Sequence, residues 1–151
     1  MIYTKLAGLA LGGLLFLGAV ASADDKKAPA GGDKHAAAFL ECAKACDDCA
    51  RSCDVCAAHC AQMVADGKKE HLETLKTCQD CAAVCRAASS IVAKKGPFSD
   101  AVCMACADCC KRCGDACEKF AADPVMKACA DECRKCEKAC REMLKHLGPG
   151  K

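Results

Sequence analysis

The chain has 151 residues, and its 22 Lys and Arg stand against 20 Asp and Glu, a balance that excludes the basic stripe of a nucleic-acid binder. With no Trp and one Tyr it also lacks aromatic platforms on which bases could stack. Its length suits one domain with one core, yet it carries 19 cysteines.

In chain order, residues 1–23 read as a secretory signal. Lys5 lies in a short n-region, an apolar run follows from Leu6 to Val20, and Ala21-Ser22-Ala23 offers a cleavage site. The run is shorter than the roughly 18 apolar residues of a membrane anchor and is interrupted by Gly8, Gly12, Gly13 and Gly18. No Arg-Arg pair marks a twin-arginine leader, so the expectation is general secretory export to the periplasm, with no membrane association after cleavage. Residues 24–33, with Pro29, Gly31 and Gly32, read as a flexible leader, and residues 148–151 as a tail.

From Lys34 the helical period recurs four times. The first helix is predicted from Lys34 to Ala65, stopping at Asp66-Gly67, where glycine suits a C-cap. The second runs from Lys69 to Lys94 and ends at Lys95-Gly96-Pro97; the third begins with Ser99 as N-cap and runs to about Ala121. Asp123-Pro124 opens the fourth, which ends at Leu147. Long helices joined by short loops predict an all-α fold, an antiparallel up-down-up-down four-helix bundle over residues 34–147.

Each helix carries a seam of thiols. On the first, Cys42, Cys46, Cys49, Cys53, Cys56 and Cys60 step by four and three, the spacing that stacks side chains on one face in a column roughly 27 Å long. The second presents Cys78, Cys81 and Cys85; the third, Cys103, Cys106, Cys110, Cys113 and Cys117; the fourth, Cys129, Cys133, Cys136 and Cys140. Cys109 alone sits off its stripe. Bundles fill such seams with Leu and Ile, so replacing them with Cys removes apolar transfer free energy at about 25 cal/mol per Å². Something other than apolar packing is expected to hold this core.

Structural disulfides are one candidate in an exported chain, but the odd count and the unbroken column argue against stapling. An iron-sulfur carrier is another, since Cys103, Cys106, Cys109 and Cys113 match a ferredoxin spacing; Gly114 replaces the proline that follows it, and the run lies inside a predicted helix. Zinc requires discrete sets of four ligands rather than a continuous array. Cu(I) fits best. It is soft, selects thiolates and accepts two in near-linear geometry; two metal–sulfur bonds span about 4.6 Å, close to the ~5–6 Å between Cβ atoms three or four apart on a helix. Buried thiolates are costly unless compensated, so charge balance calls for many ions per chain, roughly 10 to 19.

The repeated CxxxC and CxxC steps on all four helices, with Cys56-x2-His59-Cys60-x2-Met63, resemble the four-helix-bundle copper storage proteins of bacteria, most closely their exported branch. The resemblance implies Cu(I) storage rather than catalysis, for supply to copper enzymes or for protection, with all the seam cysteines as ligands and Cys109 as a further one. It also implies assembly into a homo-oligomer, commonly a tetramer. Well-known exported members carry a twin-arginine leader, from which this chain departs.

The two ends of the predicted bundle differ. One gathers Phe39, Ile91, Val92, Phe98, Val102, Leu144 and Leu147 as an apolar plug, although His35 and Met143 lie there too. The other offers Met63 and Met126 in the seams, His71 near one and His59 on a flank, and thioether and imidazole can pass Cu(I) inward without holding it as tightly as paired thiolates. These four are the expected gateway for copper.

Overall fold

The computed structural model describes residues 34–147; the expected signal (1–23), leader (24–33) and tail (148–151) lie outside the described residues. Four helices form: α1 Lys34–Ala65, α2 Leu72–Ala93, α3 Ser99–Glu118 and α4 Pro124–Leu147. α1 packs on α2 and α4, and α3 on α2 and α4, closing a four-sided bundle. Sulfur contacts fix the directions. Cys42, Cys46 and Cys53 meet Cys140, Cys136 and Cys129, so α1 and α4 are antiparallel. Cys85, Cys81 and Cys78 meet Cys106, Cys110 and Cys113, so α2 and α3 are antiparallel as well.

The joints follow from local chemistry. Past α1, Gly67 adopts φ 89°, while its N–H bonds Val64 O at 3.0 Å and that of Lys68 bonds Met63 O at 2.9 Å. This is a Schellman closure with glycine in the left-handed position. The chain then makes one 3-10 turn, Lys69–His71, so α2 begins three residues later than the spacing predicts. The same closure ends α2, but Lys95 (φ 53°) takes the left-handed position there, and Gly96 follows with its N–H on Ile91 O at 3.0 Å. A Cβ on Gly96 would lie 3.1 Å from Ile91 Cγ2, so this glycine serves close approach rather than backbone handedness.

Ser99 does not cap α3. It is already helical, and its hydroxyl donates backwards to Gly96 O at 2.6 Å, leaving Phe98 in the cap position. Asp123 does cap α4, accepting the N–H groups of Val125 at 2.8 Å and Met126 at 3.3 Å, with Pro124 as the first helical residue.

Cysteine in the seams lets the helices approach until thiols touch across the diagonal. α1 and α3 run parallel, and Cys42, Cys46, Cys49, Cys53 and Cys56 meet Cys103, Cys106, Cys110, Cys113 and Cys117 at 3.8 to 3.9 Å. Buried Ala43, Ala50, Ala57, Ala82, Ala88, Ala107 and Ala130 flank the sulfur column. On the outer face, Lys and Asp four apart pair along the helices, as in Lys111–Asp115 and Lys127–Asp131, each worth only a few tenths of a kcal/mol. Arg134 reaches from α4 across α3 to Asp115 and Glu118, and its guanidinium covers Gly114, where a Cβ would lie 2.9 Å away.

Candidate metal centre

The thiol array is one continuous body of sulfur. All 19 cysteines are free thiols, and all but Cys109 are fully buried. Neighbouring sulfurs stand 3.5 to 3.9 Å apart, well beyond the ~2.05 Å of a disulfide. The i,i+4 pairs Cys49–Cys53, Cys81–Cys85 and Cys106–Cys110 each stand at 3.9 Å, tighter than the linear span expected from sequence. Each pair also has a sulfur from another helix at hand, Cys133 beside Cys49 and Cys53, Cys110 beside Cys81 and Cys85, and Cys136 beside Cys106, so a third ligand stands within reach of these three pairs. Three sulfurs about a metal at bonds of ~2.3 Å would lie about 4.0 Å apart, close to the spacing observed.

The sulfurs group in fours within 4.8 Å of one another, and the groups share members. Cys49, Cys53, Cys81 and Cys133 form one; Cys53 and Cys133 recur with Cys113 and Cys129, and Cys49 recurs with Cys85, Cys110 and Cys136. Further groups are Cys46, Cys106, Cys136 and Cys140, and Cys56, Cys78, Cys117 and Cys129. Sharing sets the stoichiometry: ions in neighbouring groups must be bridged by common thiolates, and a two- or three-coordinate ion needs fewer of those sulfurs than a four-coordinate one, so more such ions fit the array. The ferredoxin-like run does not converge. Cys106 and Cys113 fall in different groups, and Cys109 stands outside the core.

Protons are shared as unevenly as sulfurs are packed. Burial pushes the Cys60 thiol up, and burial together with the charge of Cys81 does the same to Cys109. Thiol hydrogen bonds from Cys106 and Cys136 bring Cys46 down to about 6, and one from Cys113, with others, brings Cys117 down to about 5. Cys103 is pushed up to about 12, chiefly by its hydrogen bond with Cys140. Cys46 and Cys117 are thereby easier to deprotonate than an ordinary thiol, and a cation that binds a thiol displaces its proton.

The four gateway residues separate in the structure. Met126 is fully buried, with Sδ 3.5 Å from Cys56 Sγ and 3.7 Å from Cys60 Sγ. His71 is 6% exposed; its Nδ1 lies 3.9 Å from Cys60 Sγ, and its ring stacks on Phe120 with centroids 4.0 Å apart. His59, expected on the flank, stands at the rim with its Nε2 2.8 Å from Asp123 Oδ2, the carboxylate that caps α4. Met63, expected in the seam, is half-buried, with the Lys68 ammonium 3.4 Å from its sulfur. The sequence missed the contribution of Phe120, which wedges His71 against the last thiol; the aromatic following Cys117 by three residues was the available signal.

A four-helix bundle whose interior is bridging thiol, closed at one end by thioether and imidazole, defines a multi-ion carrier for a soft monovalent metal. The family model of copper storage proteins matches residues 35–145, and the chain belongs to that family. Among solved structures it is similar to a cytosolic copper storage protein from Streptomyces lividans carrying five coppers, at 32% identity and TM-score 0.69, over 78% of this chain and 98% of that one. It is similar too to the Streptomyces lividans protein loaded with 10 copper equivalents, at 32% identity and TM-score 0.67, over 72% of this chain and 85% of that one. The Nmul_A1745 protein from Nitrosospira multiformis shares 28% identity with TM-score 0.63, over 73% of this chain and 97% of that one. A search of curated proteins returns no match.

These likenesses correct the expectation of periplasmic export. The Streptomyces relative, a third identical to this chain, is described as cytosolic, and the leader on which export rested lies outside the described residues.

Proposed function

We propose that this protein stores Cu(I) at high capacity, with the buried seam cysteines as bridging thiolate ligands and without catalytic turnover. The observation that carries the reading is the sharing of sulfurs among overlapping groups of four, an array that takes up more ions of a low-coordinate thiophilic cation than of a four-coordinate one. Similarity to structures loaded with five and ten coppers supports it. Each Cu(I) bound between thiolates offsets buried negative charge, so filling stops only as copper approaches the sulfur count, at roughly 10 to 19 ions per chain. Met126 and His71, in contact with Cys56 and Cys60, form the gateway, while His59 holds the Asp123 cap.

The chain also associates with copies of itself, through outer faces that leave Leu40 and Val55 each 62% exposed and Met104 57% exposed. Sedimentation of the apo and loaded protein reads the assembly directly.

The deciding experiment is an anaerobic titration of reduced protein with Cu(I) against a chromogenic chelator. Capacity within the stated range is expected, with Cys53→Ser lowering it, because Cys53 belongs to two of the sulfur groups. Saturation at one or two ions would refute the reading.

A further inference from the structure

Every core thiol is closed to solvent, including the outermost ones, Cys42 at 2% and Cys60 at 0% exposure, so a copper complex that does not enter by way of Met126 and His71 must first meet a thiol that it can reach. Cys109 is the one cysteine that is not buried. It lies in a cavity of about 450 Å³ between α2 and α3, and Cys81, 1% exposed, lines the same cavity. Cys81 belongs to the group with Cys49, Cys53 and Cys133, and its sulfur is 3.9 Å from those of Cys85 and Cys110. The cavity therefore joins a reachable thiol on the flank to the middle of the sulfur column, away from both ends.

We propose that Cys109 and Cys81 form a lateral port through which Cu(I) carried by a small-molecule thiol passes into the core; the proposal rests on the storage reading. The donor class follows from the space and the charges. The cavity volume falls in the usual range of small-ligand pockets, about 300–1,000 Å³. The lining sets Arg112 and Lys119 among Glu73, Asp80 and Asp115, a mixed rim that matches the paired carboxylate and ammonium groups of a zwitterionic small thiol.

The transfer is a pair of thiol exchanges. The Cys109 thiol bonds to copper in a bis-thiolate complex as one donor thiolate leaves, taking the cysteine proton with it. Cys81 then bonds and releases the second donor in the same way, so that copper remains Cu(I) and no oxidant or reductant is consumed. Onward movement to Cys85 or Cys110 is exchange between sulfurs already in contact.

The test loads the full chain from Cu(I)–glutathione in stopped flow, followed by a chelator titration of final capacity. Cys109→Ser should slow loading about tenfold while capacity falls by no more than about one ion, and Cys109→Met, which keeps a soft ligand, should recover part of the rate. Thr77→Phe, which fills the mouth without touching a thiol, should slow loading from the glutathione complex likewise. Parent and Cys109→Ser loading at one rate would overturn the port and leave storage standing. Low capacity in the parent itself would instead sink the storage reading on which the port rests.

Discussion

Around Cys60 the bundle closes with Met126 and His71, both in contact with thiols, whereas beyond Cys42 it closes with the buried Phe39, Val92 and Met143, with no thiol hydrogen bond to Met143 among the described residues. The plugged end is not bare of soft donors. A cavity of about 310 Å³ between α1 and α4 is lined by Cys42, Met143 and His146, and the His146 ring stands edge-on to His35 with centroids 5.7 Å apart. What separates the ends is contact. At one, thioether and imidazole continue the ligand column; at the other, apolar side chains supply the burial that the thiol seam gives up. We read one end as the place of metal exchange and the other as the part that holds the apo fold together.

The largest expected effect lies in the column between them. Metal bound only to the folded state adds its binding free energy to stability, so Cu(I) should raise the melting temperature of the reduced protein by roughly 20 °C or more. Superimposed melts with and without copper would place the metal outside the core and erase the contrast between the ends.

Next in size is the plug. Phe39→Ala should cost the apo protein about 3–5 kcal/mol in denaturant unfolding, with capacity kept once copper is bound. A loss of capacity without a loss of stability would make the plug part of the ligand system.

At the other end, Met126→Leu combined with His71→Leu should slow loading from a Cu(I) chelate too bulky for the flank cavity, and removal by that chelator, about tenfold at nearly constant capacity, while Met143→Leu changes neither. Equal slowing by Met143→Leu would show that both ends admit copper.

The smallest effect is the dependence of apo stability on pH. Cys103 holds its proton up to about 12, above the ordinary 9.0, so its contribution is complete below pH 9 and is lost as pH rises from 9 to 12. Cys46 is depressed to about 6, so its contribution is present above pH 9 and is lost as pH falls through 6. Apo melting temperatures should therefore fall on both sides, whereas copper-loaded protein, with no thiol protons left to lose, should stay flat on the alkaline side. An apo profile flat from pH 9 to 12 would mean that the thiols titrate independently.

Much of this was legible because cysteine at steps of three and four is a geometric statement: α1 runs Lys34–Ala65 as its seam requires, and Asp123 caps α4 as its place before Pro124 requires. Ser99 misled because a serine beside a glycine turn has two backbone partners within reach, and here its hydroxyl bonds the turn carbonyl. Phe98 was expected in the plug but is 69% exposed, since the residue before α3 sits on the turn rather than on the seam. Met63 and His59 share the turn of α1 that carries Cys60, yet Lys68 and Asp123, brought from beyond the helix end, hold them away from the thiols.

The sequence by itself determined the four helices, the inward face of each and the soft, monovalent character of the metal, because periodicity fixes which side chains share a face and sulfur fixes which ion they prefer. Only the tertiary structure decided which sulfurs meet. Contacts across the diagonal and from one helix to the next depend on how closely backbones approach, and that distance is set by the small side chains of cysteine and alanine packed together rather than by any one seam. The same packing left Cys109 on the flank beside Cys81 and pressed His71 against Cys60, placements that follow from the helices' mutual rotation and have no signature in a single helix.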